Sequence, residues 1–96
     1  MAFAVAVKLT ARAGEEERVE RALREMIPRS RAEEGCRLYE VHRTAEDARL
    51  FYLYEQYDDE AAYEAHRTTA HYEQYLRGEV MDRLEKRHVE RYETLE

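Results

Sequence analysis

Tryptophan and asparagine are absent from the 96 residues, cysteine and proline occur once each, and there are three glycines. A single thiol, Cys36, excludes an internal disulfide framework and a cysteine-rich zinc site, and is expected to be reduced and buried. Three scattered glycines leave no loop that could cradle a phosphate, which removes P-loop and dinucleotide sites. Ser30 is the only serine and stands in a charged helical stretch, not on a nucleophile elbow. Cys36 and His42 share a strand but lie ~20 Å apart at ~3.3 Å per residue, so they cannot form a dyad. The longest apolar run, AFAVAV, is too short to span a bilayer, and no basic region leads into a cleavable apolar segment. A cytoplasmic location without a membrane partner is the expectation. The net charge is −6, and acids are interleaved among the bases throughout. Without a basic stripe, nucleic acid is not an expected partner.

What is present is patterned. Residues 2–10 alternate Phe3, Val5, Val7 and Leu9 on one strand face with Ala2, Ala4, Ala6 and Lys8 on the other. After the turn ARAG, the stretch EEERVERALREMIPRSRAEEG carries Val19, Ala22, Leu23, Met26 and Ile27 at amphipathic-helix spacing. Pro28 predicts a kink or a loose last turn running to Gly35. CRLYEVHRT and RLFYLYEQY read as an antiparallel hairpin with apolar groups on both faces. Two helices can cover only one face of such a sheet, so the second cover is expected to be another copy of the chain. Asp58 or Asp59 caps a helix over EAAYEAH, and Thr68 or Thr69 caps another over AHYEQYLRGEV. The tail, 81–96, fits helical spacing through Met81, Leu84, His88 and Tyr92 and fits a strand equally well. The order β, α, β, β, α and a possible last β describes an α+β, ferredoxin-like split βαβ unit with an antiparallel sheet.

The broken helix AYEAHRTTAHYEQY holds His66 and His71, five residues apart. On a continuous helix they would stand ~140° apart around the axis, so they can converge only through the break. A metal site would need a third ligand, and the neighbouring acids Glu64 and Glu73 are ordinary charged-helix residues, so no metal is expected. Without catalysis, His66 is a satisfied, sheet-facing histidine and His71 stabilises the break through local hydrogen bonds.

The stretches EEGCRLYEVHRT, FYLYEQYDDEAAYEAHRTTAHYEQYL and HVERYETL, with strand one and helix one, resemble the antibiotic biosynthesis monooxygenase domain family over nearly the whole chain. That resemblance implies a dimeric α+β barrel and assigns residues 87–95 to a last strand. It also implies a monooxygenase that uses no cofactor and acts with O2 on a small aromatic, quinol-like or phenolic molecule. Such a substrate reduces O2 once deprotonated, so the protein must supply a dry pocket, a base and hydrogen bonds. Neutral imidazole suits proton abstraction near pH 7, which makes His66 the preferred base and His71 the second. Tyr39, Tyr54, Tyr72 and Tyr75 are the candidate pocket tyrosines, and Glu55 could orient a His or Arg. Departures from the family pattern are Tyr57, where many relatives carry Trp, and Ala70, where Pro is common. The haem-degrading branch of the superfamily depends on an Asn, a Trp and a His. With neither Asn nor Trp, this chain is not expected to use that constellation. Rival readings on the same scaffold are a non-enzymatic ligand-binding or stress-related dimer, and an isomerase using the same base without O2.

Overall fold

The computed structural model describes residues 1–95. Its elements are β1 (Phe3–Ala11), α1 (Glu16–Arg31), β2 (Cys36–Arg43), β3 (Leu50–Tyr57), α2 (Glu60–His66), α3 (Tyr72–Val80) and β4 (Leu84–Glu93). A short 3-10 turn, Met81–Arg83, joins α3 to β4. The strands form one antiparallel sheet in the order β2-β3-β1-β4. The architecture is α+β and ferredoxin-like, as the element order predicts.

The alternation in β1 decides which face is covered. Val5, Val7, Leu9 and Ala11 point into the core, and register places Glu55, Leu53 and Phe51 of β3 beside the first three of them. On the other flank, Arg91, Val89 and Arg87 of β4 take the corresponding places. Helix α1 lays Val19, Ala22, Leu23 and Met26 onto this face, the stripe its periodicity predicts. The inward face of β3 runs Phe51, Leu53, Glu55, Tyr57, all buried. A carboxylate thus continues an otherwise apolar row.

Three elements differ from expectation. Helix α1 passes through Pro28 and ends at Arg31, instead of loosening toward Gly35. Proline removes only one backbone donor, the next turn re-forms with Ala32 N–H donating to the Pro28 carbonyl at 3.1 Å, and the Arg29 guanidinium reaches back to the Glu25 carbonyl at 2.9 Å. Strand β4 starts at Leu84, three residues before the expected 87, and ends at Glu93. Pairing with β1 extends to Ala11↔Leu84 across a register shift, which explains the early start. All of α3, Tyr72–Val80, is π-wound, with the Met81 N–H reaching back to the Leu76 carbonyl. Nothing in side-chain periodicity distinguishes that winding from an α-helix, and it is rare at this length.

Gly35 fixes the packing of β2 against α2. A Cβ there would stand 2.5 Å from Ala62 Cβ, so only glycine allows the turn before β2 to lie on α2. The turn also accepts Asp58 N–H at the Gly35 carbonyl, 2.9 Å away. Asp59 caps α2 by accepting from Ala62 N–H at 2.8 Å. Among the described residues no helix is long and apolar enough to cross a membrane.

The opposite sheet face carries Leu50, Tyr52, Tyr54 and Gln56 from β3 and Leu38 from β2, all half-buried in the single chain, and among the described residues no helix lies over them. His42 stacks on Tyr52 there at 5.7 Å. An uncovered sheet face with this much aromatic and aliphatic surface is expected to pair with a second copy. Sedimentation velocity at micromolar concentration should give twice the chain mass, and Tyr54→Glu should shift the protein toward monomer. A folded wild-type monomer at that concentration contradicts the expectation.

Candidate functional site

His66 ends α2 on the side that carries Tyr63, and that stripe faces the sheet. It is 1% exposed. Its ring is enclosed by aromatic neighbours: Tyr57 at 5.2 Å, Tyr72 edge-on at 5.2 Å and Tyr39 at 5.7 Å between centroids. The chain then breaks at Arg67–Thr69. Thr68 Oγ1 donates to the Ala65 carbonyl, while Thr69 Oγ1 donates to the His66 carbonyl and accepts from Tyr72 N–H. The two threonines, not His71, hold the break. His71 is free to turn inward, and its ring centroid lies 6.2 Å from that of His66.

What draws the two histidines together is Glu33, in the turn between α1 and β2. Its Oε2 lies 2.8 Å from His66 Nδ1 and 2.6 Å from His71 Nε2. Burial pushes the Glu33 carboxyl up, but the hydrogen bonds from His66 and His71 and their fields outweigh it, and its pKa is lowered overall. An ionised carboxylate only accepts, so both ring atoms that face it must carry hydrogen. For neutral His66 this fixes the proton on Nδ1 and leaves the lone pair on Nε2.

Nε2 points to the sheet, where Glu55 Oε1 lies 3.9 Å away, beyond hydrogen-bond length. Glu55 is 4% exposed and accepts from the Tyr57 hydroxyl at 2.6 Å. Burial raises the Glu55 carboxyl, against the lowering effect of the Tyr57 hydrogen bond. Burial, and then the Glu55 charge, raise Tyr57 as well. Two carboxyls on either side of one imidazole are therefore driven apart: Glu33 toward the ionised form and Glu55 toward the neutral one.

Beside Nε2 is a cavity lined by Glu55, Tyr63, Tyr72, Leu53, Val80 and Arg87. Its accessible volume is only about 20 Å³, room for about one water. Leu76, Val80 and Met81 of α3 and its following turn form one wall. A much larger depression, about 590 Å³, lies on the outside between α1 and α3 among Arg18, Arg21, Arg24 and Glu25. It is open, charged and touches neither histidine, so it is not the chemical site despite its size.

The residues singled out from sequence divide accordingly. His66, His71, Glu55, Tyr72 and Tyr39 come together. The Tyr39 hydroxyl, however, is turned to the buried Ser30 Oγ, and neither atom has a partner in strict hydrogen-bond geometry among the described residues. Tyr54 lies on the outer sheet face, where its hydroxyl accepts from Gln56 Nε2 at 3.1 Å, because its position in β3 has the opposite parity to Glu55. Tyr75 lines the outer depression under the Arg29 guanidinium, 5.1 Å from its ring. Neither Tyr54 nor Tyr75 reaches the cavity. Glu33 was missed from sequence because it stands 33 residues from His66 in a short turn beside a second, exposed acid, Glu34. The one signal was Gly35 two positions on, the mark of a close approach.

A family model described as antibiotic biosynthesis monooxygenase matches residues 2–78. The chain belongs to the antibiotic biosynthesis monooxygenase family. It is 38% identical over 60 residues to Rv0793 of Mycobacterium tuberculosis, provisionally named a monooxygenase; that match spans 60% of this chain and 58% of the relative. The fold superposes on the crystal structure of PA3566 from Pseudomonas aeruginosa with a TM-score of 0.91 and 35% identity, over 99% of this chain and 95% of the other. The structure of Rv0793 itself gives a TM-score of 0.90 at 29% identity, covering 100% and 97% of the two chains. An antibiotic biosynthesis monooxygenase-type protein from Nitrosomonas europaea gives 0.92 at 27% identity, covering 98% and 90%.

Cys36, three residues beyond Glu33, is half-buried and its thiol donates to the Leu38 carbonyl at 3.6 Å. Burial first, then the Glu33 charge, push its pKa up to about 11. Thiolate is the reactive form, so alkylation by iodoacetamide at pH 7.5 should be on the order of 10²-fold slower in the native protein than in urea, rising steeply above pH 9. Equal rates in the two states would show that the thiol is not held in this environment.

Proposed function

We propose that the protein is a monooxygenase that needs no cofactor and acts on a quinol or phenolic ring, with His66 as the base. The observation that carries this reading is Glu33 Oε2 at 2.8 Å from His66 Nδ1, which leaves Nε2 as the free acceptor beside the cavity. Family membership supplies the reaction class.

The chemistry follows from that tautomer. His66 Nε2 takes the proton from the substrate hydroxyl, and the imidazolium so formed is stabilised by the Glu33 carboxylate behind it. The electron-rich phenolate passes an electron to O2, and the two radicals combine at a ring carbon to give a peroxide. Cleavage of the O–O bond leaves one oxygen on the ring carbon as a carbonyl and releases the other as water. The hydroxyl O–H and one ring C–H are lost as both carbons become C=O, and their two hydrogens leave in the water, so substrate supplies all the electrons for the oxygen that leaves as water. Glu55, raised toward its neutral form, can donate a hydrogen bond to the developing oxyanion or peroxide. Tyr63 and Tyr72 flank the ring and keep water away.

A cavity of about 20 Å³ does not hold such a ring, so substrate entry must displace the α3 wall. The π-wound backbone of α3 supports that role, because π-helical segments are weakly held and recur at functional sites. One observation favours a second reading. A base and a raised carboxyl within 3.9 Å also suit proton transfer between two carbons of one substrate, which is isomerisation.

An oxygen electrode run across a panel of anthrones, naphthoquinols and hydroxy-aromatics separates the two readings. Uptake of one O2 per product is expected, with His66→Gln lowering kcat by ~10²–10⁴. Glu33→Gln should lower kcat by ~10-fold or more with little change in KM, because it removes the charge behind the base and leaves the pocket walls in place. Substrate deuterium exchange without O2 uptake would replace the oxygenase with the isomerase. Full turnover in His66→Gln would remove the base altogether.

A further inference from the structure

Glu33, His66 and His71 each offer a ligand atom within 4.8 Å of the others, with Glu33 brought from the turn before β2 to the two histidines that flank the break after α2. Two imidazole nitrogens and one carboxylate are a donor set suited to zinc and its divalent neighbours. We infer that Glu33, His66 and His71 form a binding site for a divalent transition ion of the zinc type, with water completing its coordination.

Several features of the arrangement support an ion over a hydrogen-bonded knot alone. Only Oε2 of Glu33 is used: Oε1 has no partner among the described residues and is available as a second donor. His71 and Glu33 retain 15% and 14% side-chain exposure while His66 retains 1%, so the site opens to solvent on one side and is closed on the other. An ion can enter, and a coordination position faces water. On the buried side Nε2 points at the Glu55 carboxyl across 3.9 Å, a gap that must close by ~1 Å before Glu55 can accept from a metal-bound histidine. With a metal on Nδ1, the His66 proton moves to Nε2, which faces Glu55 Oε1, and Glu55 is anchored in turn by Tyr57. At bond lengths of ~2.0–2.1 Å a tetrahedral site separates its donors by ~3.3 Å. The present 2.8 and 2.6 Å contacts would therefore have to open by ~0.5–0.7 Å. Glu33 can make that movement because it lies in the turn beyond α1, outside any helix or strand.

The third ligand lies far along the chain, in Glu33, and is neither of the neighbouring acids Glu64 and Glu73. Loading has a chemical consequence. A metal on Nδ1 places the remaining proton on Nε2, so the loaded protein loses the lone pair that the proposed base uses. The metal-free and loaded forms are thus alternative states of one histidine.

The test is read in resting protein without substrate, so its outcome is independent of whether the oxygenase reading holds. Tag-free chain, stripped with chelator and dialysed, is titrated with Zn2+ by calorimetry and with Co2+ by absorbance. One ion per chain is expected with a Kd tighter than about 10 μM, and Co2+ should develop the intense visible bands of four-coordinate geometry. Glu33→Gln and His71→Gln should each weaken binding at least tenfold, whereas His88→Ala and His42→Ala, at histidines outside the site next to Glu90 and Glu40, should leave it unchanged. Should the site variants fail to fold, the Co2+ spectrum of the wild-type chain still decides: six-coordinate, weak bands or no stoichiometric binding overturn the inference. So does Zn2+ affinity that is lost with His88 or His42 and kept in the site variants.

Discussion

A single carboxylate oxygen orders the chemical end of this fold. Glu33 Oε2 receives His66 and His71 together, across a break that would otherwise leave the two rings on different sides of a helix. The rest of the local design serves that meeting. Gly35 brings the turn that carries Glu33 down on α2, Thr68 and Thr69 satisfy the backbone where α2 stops, and Tyr57, Tyr39 and Tyr72 close around the inner ring. Removing the charge at Glu33 would leave a buried imidazole with no defined tautomer. That is why a turn residue, and not a helix or strand residue, sets the properties of the site.

The inner side of His66 has the opposite electrostatics. Glu55 interrupts the apolar inward row of β3 and is held by the Tyr57 hydroxyl, with burial favouring its neutral form. Glu33 is reachable from solvent and ionised, and Glu55 is sealed and drawn toward protonation. His66 therefore sits between an acceptor and a potential donor, an arrangement suited to moving a proton from one side of a ring to the other. The same geometry explains why two different states, a free base and a metal ligand, can be written for one side chain.

Much of the fold was readable from spacing. Period-two alternation in β1 and β3, the α1 stripe and the cap before α2 all express local rules, and each appears at or near its expected place. The tail was not decided by spacing, since Leu84, His88 and Tyr92 suit a helix and a strand equally, and only the family resemblance pointed to β4. The site was legible in part. His66 facing the sheet follows from its place on the Tyr63 stripe, but the local duty expected of His71 does not hold, because the threonines supply it. Tyr54 illustrates a parity error: neighbouring strand residues point to opposite faces, so it cannot accompany Glu55. Glu33 could not have been derived from pattern, since its partners are long-range and its own neighbourhood reads as solvated turn.

The central claim is that Glu33 fixes the His66 proton on Nδ1 and leaves Nε2 free. Long-range 1H–15N correlation NMR of the metal-free protein, with His66 assigned through His66→Gln, reads that directly. At a pH where the ring is neutral, the account predicts a proton-bearing Nδ1 and an unprotonated, pyridine-type Nε2, reversing or averaging in Glu33→Gln. A protonated Nε2 with a bare Nδ1 in the wild-type chain would contradict it.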